Sequence, residues 1–186
     1  DFFQRLVSLP DAALTGMGIK KVKKIRINVL ILRNENGSPI ISRADFEPDF
    51  LDSRDILKRE SNIRLYIDKI VTAKESGYPE ILDVGCNAAA FGQDLLFTGS
   101  GYENLASSYF ALSAASRLLG INPPIVVFVV RGFMEGTTHL NLAGCSLFSN
   151  TDYLTISGSS IKSGKSCTGT LAHEIGHKCG LLHVFN

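Results

Sequence analysis

The sequence predicts an α+β fold: a twisted mixed sheet of four or five strands, a backing helix, and a second, histidine-bearing helix beneath it. Three observations predict this. Apolar runs with strand character stand at 24–32, 62–71 and 125–130. A charge-rich stretch at 45–61 carries Phe46, Phe50, Ile56 and Leu57 at helical spacing. A third helical pattern, at 170–178, closes on glycine. The chain has 186 residues, which fits one domain and suffices to bury a substantial core.

Residues 1–20 are mixed in character, with Gly16 and Gly18 near their end, and read as an N-terminal arm or the end of a pro-segment. The first strand, 24–32, alternates apolar and polar residues and then runs on apolar, as a strand does when it enters a core. Residues 34–39, Asn-Glu-Asn-Gly-Ser-Pro, are a turn cluster. The helix at 45–61 places Pro48 in its first turn, where proline is tolerated. Residues 62–71 alternate again, with Ile63, Leu65 and Ile67 apolar. Glycines punctuate 77–101. An apolar, Ala/Ser-rich helix at 105–119 is closed by Gly120 and by Pro123 and Pro124. The β-branched run at 125–130 is a buried strand, and 132–144 reads as loop. Two short β-prone pieces flank Asn150, Thr151 and Asp152 within 145–157. A Ser/Gly/Lys loop at 158–169 leads into the last helix.

Composition is ordinary for a globular protein: 45% hydrophobic and 20% charged. The net charge of +1 lacks the basic excess that phosphate binding needs, so no nucleic-acid partner is expected. The cluster Lys20, Lys21, Lys23 and Lys24 reads as a solvated strand entrance. No window reaches the roughly 18 apolar residues of a membrane span, so no membrane partner is expected. The start shows neither an initiator Met nor a signal-peptide pattern, so a processed form or an excised piece is expected. Four cysteines (Cys86, Cys145, Cys167 and Cys179) allow two disulfides in three pairings. Disulfides in a secreted protein are preferred over buried thiols.

The chemistry concentrates at 173–183, HEIGHKCGLLH, which holds three of the four histidines. His173 and His177 lie four apart, so one helix face presents both imidazoles. Glu174 is within reach of a water on a metal held there. Gly180 can adopt the left-handed conformation that ends a helix and turns the chain. That turn brings back His183. Three neutral imidazoles leave one tetrahedral position open, as in a catalytic zinc site rather than a structural one. A lone HExxH arises by chance in unrelated helices, and the added Gly180 and His183 are what make this one specific. His139 lies apart from them and reads as a surface histidine.

HExxHxxGxxH is the zinc signature of the metzincin peptidases, and HEIGHKCGLLHVF resembles most closely the pappalysin family, with Gly176 before the second histidine, Leu181 after the helix-ending glycine, and Phe185. The match covers about the last 17 residues. Lys178 and Cys179 depart from the bulky apolar residues often found there. The resemblance implies a zinc endopeptidase acting on protein or peptide, with His173, His177 and His183 as Zn²⁺ ligands and Glu174 as general base. It also implies a metzincin-like N-terminal subdomain over 21–186, with the last helix as the active-site helix. The segment 146–157 stands where metzincins carry their edge strand. It is expected to border the cleft and offer unpaired backbone groups, with Leu147, Phe148 and Ser149 touching substrate. Met17 and Met134 both precede the motif, and only Val184, Phe185 and Asn186 follow it. The methionine turn and C-terminal subdomain of that family are therefore expected from a continuation of the chain or from a partner polypeptide.

Two other classes compete. A degenerate peptidase fold used as a binding or assembly module is opposed by the intact Glu174. Residues 80–87, EILDVGCN, resemble the first glycine loop of class I methyltransferases, which binds S-adenosylmethionine. Asn87 and Ala88 to Ala90 replace the further glycines, however, and no strand ending in an acidic residue follows at the usual interval. An ordinary strand and turn is the plainer reading. Cys86 as a blocking zinc ligand lacks any matching pro-segment, and Tyr153 reads as a core tyrosine rather than a cleft residue.

Overall fold

The computed structural model describes residues 22–77, 79–85, 101–110, 124–146, 153–163 and 169–181. Strand β1 (Lys23–Ile31) begins on two exposed lysines, the solvated entrance its sequence suggests, and ends in five buried residues. Helix α1 (Arg43–Ser61) starts two residues before the expected point. The cause is a capping box: Asp45 N–H donates to Ser42 Oγ at 3.2 Å, and Ser42 N–H donates to Asp45 Oδ2 at 2.7 Å. Pro48 consequently falls in the second turn, not the first. The helix ends at Asn62, which takes the left-handed conformation at φ 53°.

Strand β2 (Ile63–Thr72) lies parallel to β1, with a register shift at Ile27/Asn28 that leaves Asp68 unmatched and free to accept from Arg26 Nη1 at 3.2 Å. Short helix α2 (Pro79–Leu82) leads into β3 (Asp83–Val84). Helix α3 (Gly101–Phe110) opens four residues earlier than expected, and 111–119 lie outside the described residues. Strand β4 (Ile125–Val130) is the buried strand its β-branched composition predicts.

The stretch read as loop at 132–144 instead forms strands β5 (Gly132–Glu135) and β6 (Thr138–Leu140), paired as a hairpin through Gly136 and Thr137. Phe133, almost wholly buried, anchors it. Strand β7 (Gly144–Cys145) and strand β8 (Tyr153–Ser157) follow. The Ser/Gly-rich stretch after them is helical at its start: α4 (Gly158–Lys162) is capped by Ser157, whose Oγ accepts from Ser160 N–H. Helix α5 (Thr170–Lys178) coincides with the residues expected.

The fold is α+β with a mixed sheet. Its order is β2-β1-β4-β8-β7; the first four strands run parallel, and β7 is antiparallel to β8. A second sheet has the order β3-β5-β6. Parallel strands covered on both faces read as continuous apolar runs, which is why β1 and β4 supply so much of the core: Ile27, Val29, Leu30, Ile31 and Val126 to Val130 are all buried. Helix α1 packs on β2 and on α5, and α5 in turn touches β7 and β8. Tyr153 is a core residue, stacked on Tyr102 at 5.5 Å and edge-on to Phe128 at 5.8 Å.

One expectation is overturned here. Strand β8 is not the sheet edge: it pairs with β4 on one side and β7 on the other, and all five of its residues are buried. Among the described strands the edge on that side is β7, and β2 is the edge on the other. Residues 147–152 lie outside the described residues, and Leu147, Phe148 and Ser149 are among them. No described helix is long and apolar enough to cross a membrane.

Candidate active site

The site is built around α5. Its apolar stripe of Leu171, Ala172 and Ile175 is buried, which fixes the helix's rotation about its own axis. His173 and His177 then emerge on another face. Their Nε2 atoms stand 3.1 Å apart, and the rings meet edge to face with centroids 4.6 Å apart. Two nitrogens bound to one tetrahedral zinc at 2.0–2.1 Å would stand about 3.3 Å apart, so the pair fits such an ion.

The start of α5 has no side-chain cap of its own, since Gly169 occupies the N-cap. Ser53 of α1 does this work from another helix: Ala172 N–H donates to Ser53 Oγ at 3.0 Å, and Ser53 is wholly buried. The end of α5 is a Schellman motif. Leu181 N–H donates to Gly176 O at 3.0 Å, and Gly180 N–H donates to His177 O at 2.9 Å. Gly180 has φ +86°, as its place in the sequence requires. The turn has a second effect. It carries the Leu181 carbonyl onto His177 Nδ1 at 2.7 Å. A carbonyl only accepts, so Nδ1 carries the proton and Nε2 of the neutral ring keeps its lone pair, the tautomer a metal ligand needs.

Glu174 points the other way from solvent, at 4% exposure, and its Oε2 is buried without a hydrogen-bond partner. Burial pushes its carboxyl up to about 7, against the smaller opposing pull of Lys178. An unpaired buried carboxylate costs free energy, and such sites cluster where chemistry is done. The carboxylate lies against β7: a Cβ added to Gly144 would stand 2.7 Å from Glu174 Cγ and 2.8 Å from Oε1. His173, Glu174 and His177 line a cavity of about 720 Å³. Its walls are the end of α1 (Ile56, Leu57), the β7 edge (Leu142 to Ser146) and Leu181.

Of the residues picked from the sequence, the fold brings His173, Glu174 and His177 to one cavity. His183 lies outside the described residues, and no group of three potential metal ligands is found within them. His139, on β6, is exposed and apart. Asp83, of the segment likened to a methyltransferase loop, is taken up by Arg131, whose Nε donates to Oδ1 at 2.8 Å and whose Nη2 donates to Oδ2. Cys86 lies outside the described residues. Cys145 is disulfide-bonded, but Cys179 is a free thiol at the exposed end of α5, so the four cysteines do not form two disulfides.

Sequence reasoning missed Ser53, Gly144 and the Leu181 carbonyl. Gly144 falls at the end of the stretch read as loop, where a glycine carries no special signal. Nothing in the sequence marks Ser53.

No family model matches the sequence, and no curated protein does. Among solved structures the chain is similar to metalloproteinase-II from Bacteroides fragilis, with TM-score 0.50 and 16% identity over 90% of this chain and 45% of that one. The chain thus spans less than half the length of that protein. At this identity the likeness is one of fold: it fits a metallopeptidase fold coarsely and lends no support to the pappalysin family in particular.

Proposed function

We propose that this chain is a zinc-dependent endopeptidase in which His173, His177 and His183 hold the metal and Glu174 is the general base. The observation that carries the reading is the approach of His173 Nε2 to His177 Nε2, 3.1 Å apart, in the same cavity as a buried carboxylate. Zinc held there would supply a Lewis acid that acidifies water and polarises a peptide carbonyl. Glu174 takes the proton of the attacking water and delivers it to the leaving amine nitrogen. The Leu181 carbonyl holds the His177 ring in its ligating tautomer.

The substrates are proposed to be proteins or peptides, with Leu147, Phe148 and Ser149 at the cleft and neither nucleic acid nor membrane as partner. An extracellular setting is supported by the disulfide at Cys145. A pappalysin-like ancestry rests on the motif alone, and so does the division into an arm at 1–20 and a catalytic domain at 21–186.

The test is metal analysis of the purified chain combined with cleavage of an unfolded protein, with and without chelator. About one zinc per chain is expected, and His173→Ala or His177→Ala should lose most of it. Glu174→Ala should keep zinc while turnover falls by about 10²–10⁴. Normal zinc content in either histidine variant would sink the reading, and metal-bound protein with no chelator-sensitive cleavage would favour a binding module.

A further inference from the structure

We infer that Gly144 is a positioning residue for Glu174: the missing side chain lets the edge strand close down on the carboxylate and sets where it sits in the cavity. The inference rests on the peptidase reading for its catalytic consequence, but its geometric part stands without it. A Cβ at 144 would lie 2.7 Å from Glu174 Cγ, 2.8 Å from Oε1 and 3.0 Å from Cδ. All three contacts are with the one side chain. Real Cβ atoms do not approach that closely, so something must move.

The strand is the less able to yield. Gly144 is matched to Ile156 and Cys145 to Thr155. On one side of Gly144, Ala143 O accepts from Ser157 N–H at 2.8 Å. On the other, Cys145 O accepts from Thr155 Oγ1 at 3.2 Å, and the Cys145 sulfur is tied in a disulfide. Helix α5 is held by its buried Leu171 and Ile175, both at 0% exposure, and by the Ser53 cap at its start. What remains movable is the Glu174 side chain itself, whose χ angles can swing the carboxylate away from β7. Any residue but glycine at 144 therefore displaces the carboxylate. Glycine has a further cost in a strand, because it lacks a side chain to pack and loses more entropy on folding than alanine. Without Glu174 beside it, alanine at 144 would be the better strand residue.

That reversal of sign is the test. Wild type, Gly144→Ala, Glu174→Ala and the double variant are compared by urea unfolding in the presence of a chelator, so that no metal contributes. Gly144→Ala should lower the midpoint in the Glu174 background. In the Glu174→Ala background the same substitution should leave the midpoint unchanged or raise it. If Gly144→Ala alone does not fold, the double variant should, and its folding serves as the rescue. An equal fall in both backgrounds, or a double variant that also fails to fold, overturns the inference.

Turnover and zinc content of the holoprotein form the second arm. Gly144→Ala should keep its zinc and lose roughly a hundredfold in kcat, the scale of a misplacement of about 1 Å, with KM nearly unchanged. Stability coupling with an unchanged kcat would overturn the positioning role. Stability coupling in a chain that holds zinc but cleaves nothing would uphold the packing of Gly144 on Glu174 and count instead against the peptidase reading.

Discussion

Replacing Ser53 with alanine tests whether the active-site helix is anchored from outside itself. Ser53 sits on the buried face of α1 at 0% exposure, and its Oγ receives the Ala172 N–H at 3.0 Å. The substitution removes the acceptor and leaves that backbone N–H buried in the first turn of α5. A buried donor stripped of its partner costs about 1–3 kcal/mol. Against this, alanine is the better residue for a helix interior by roughly 0.5 kcal/mol, and the change in side-chain volume is small. The net loss is therefore about 0.5–2.5 kcal/mol, or about 1–10 °C in Tm for a chain of this length. Thermal and urea unfolding in chelator would measure it, with Asp52→Ala, exposed and adjacent on α1, as the control expected within about 0.5 kcal/mol of wild type. Amide exchange should localise the effect, with faster exchange at Ala172 than at residues in β4. The substitution should also weaken zinc binding, because His173 follows Ala172 directly. A Ser53→Ala protein as stable as wild type, with Ala172 exchange unchanged, would refute the argument that α1 caps α5.

Two further outcomes are expected. Gly180→Ala, at φ +86°, should cost about 1 kcal/mol or more through backbone strain. By loosening the Leu181 carbonyl on His177 Nδ1 it should also weaken zinc affinity by about 10–100-fold; a competition titration with a zinc indicator would read this, and an unchanged affinity would dismiss the tautomer role of Leu181. Asp45 titrates below its ordinary value of 3.8, chiefly because the Ser42 backbone N–H bonds its ionised form. A carboxyl depressed in the folded state contributes stability that is present above the unfolded value and is lost as pH falls through the folded one. The urea midpoint of wild type should therefore exceed that of Asp45→Asn at pH 6, and the gap should close in acid below pH 3.8. A gap independent of pH would contradict the capping box.

The local patterns of this sequence determined a good deal. Helix α5 follows its apolar periodicity and terminates at Gly180 because both are properties of a few adjacent residues. The i, i+4 spacing by itself places His173 and His177 on one face, since a helix of 3.6 residues per turn allows nothing else. Strand β4 and the second half of β1 are legible because strands buried in a parallel sheet run on apolar, whereas β2, half-exposed at the sheet edge, is legible by its alternation. The hairpin at β5 and β6 is not, because Phe133 is its one deeply buried anchor and the rest of its residues look like loop. Which strand forms the edge was decided only by tertiary structure: β7 and β8 are both short, and nothing local distinguishes the one that pairs on a single side from the one that pairs on both. The same holds for Ser53 and Gly144, which lie 119 residues before the Ala172 amide in one case and across the sheet edge from Glu174 in the other. A hydrogen-bond partner and a missing Cβ acquire their meaning from what the fold sets opposite them, and the residues beside them in the chain carry no record of it.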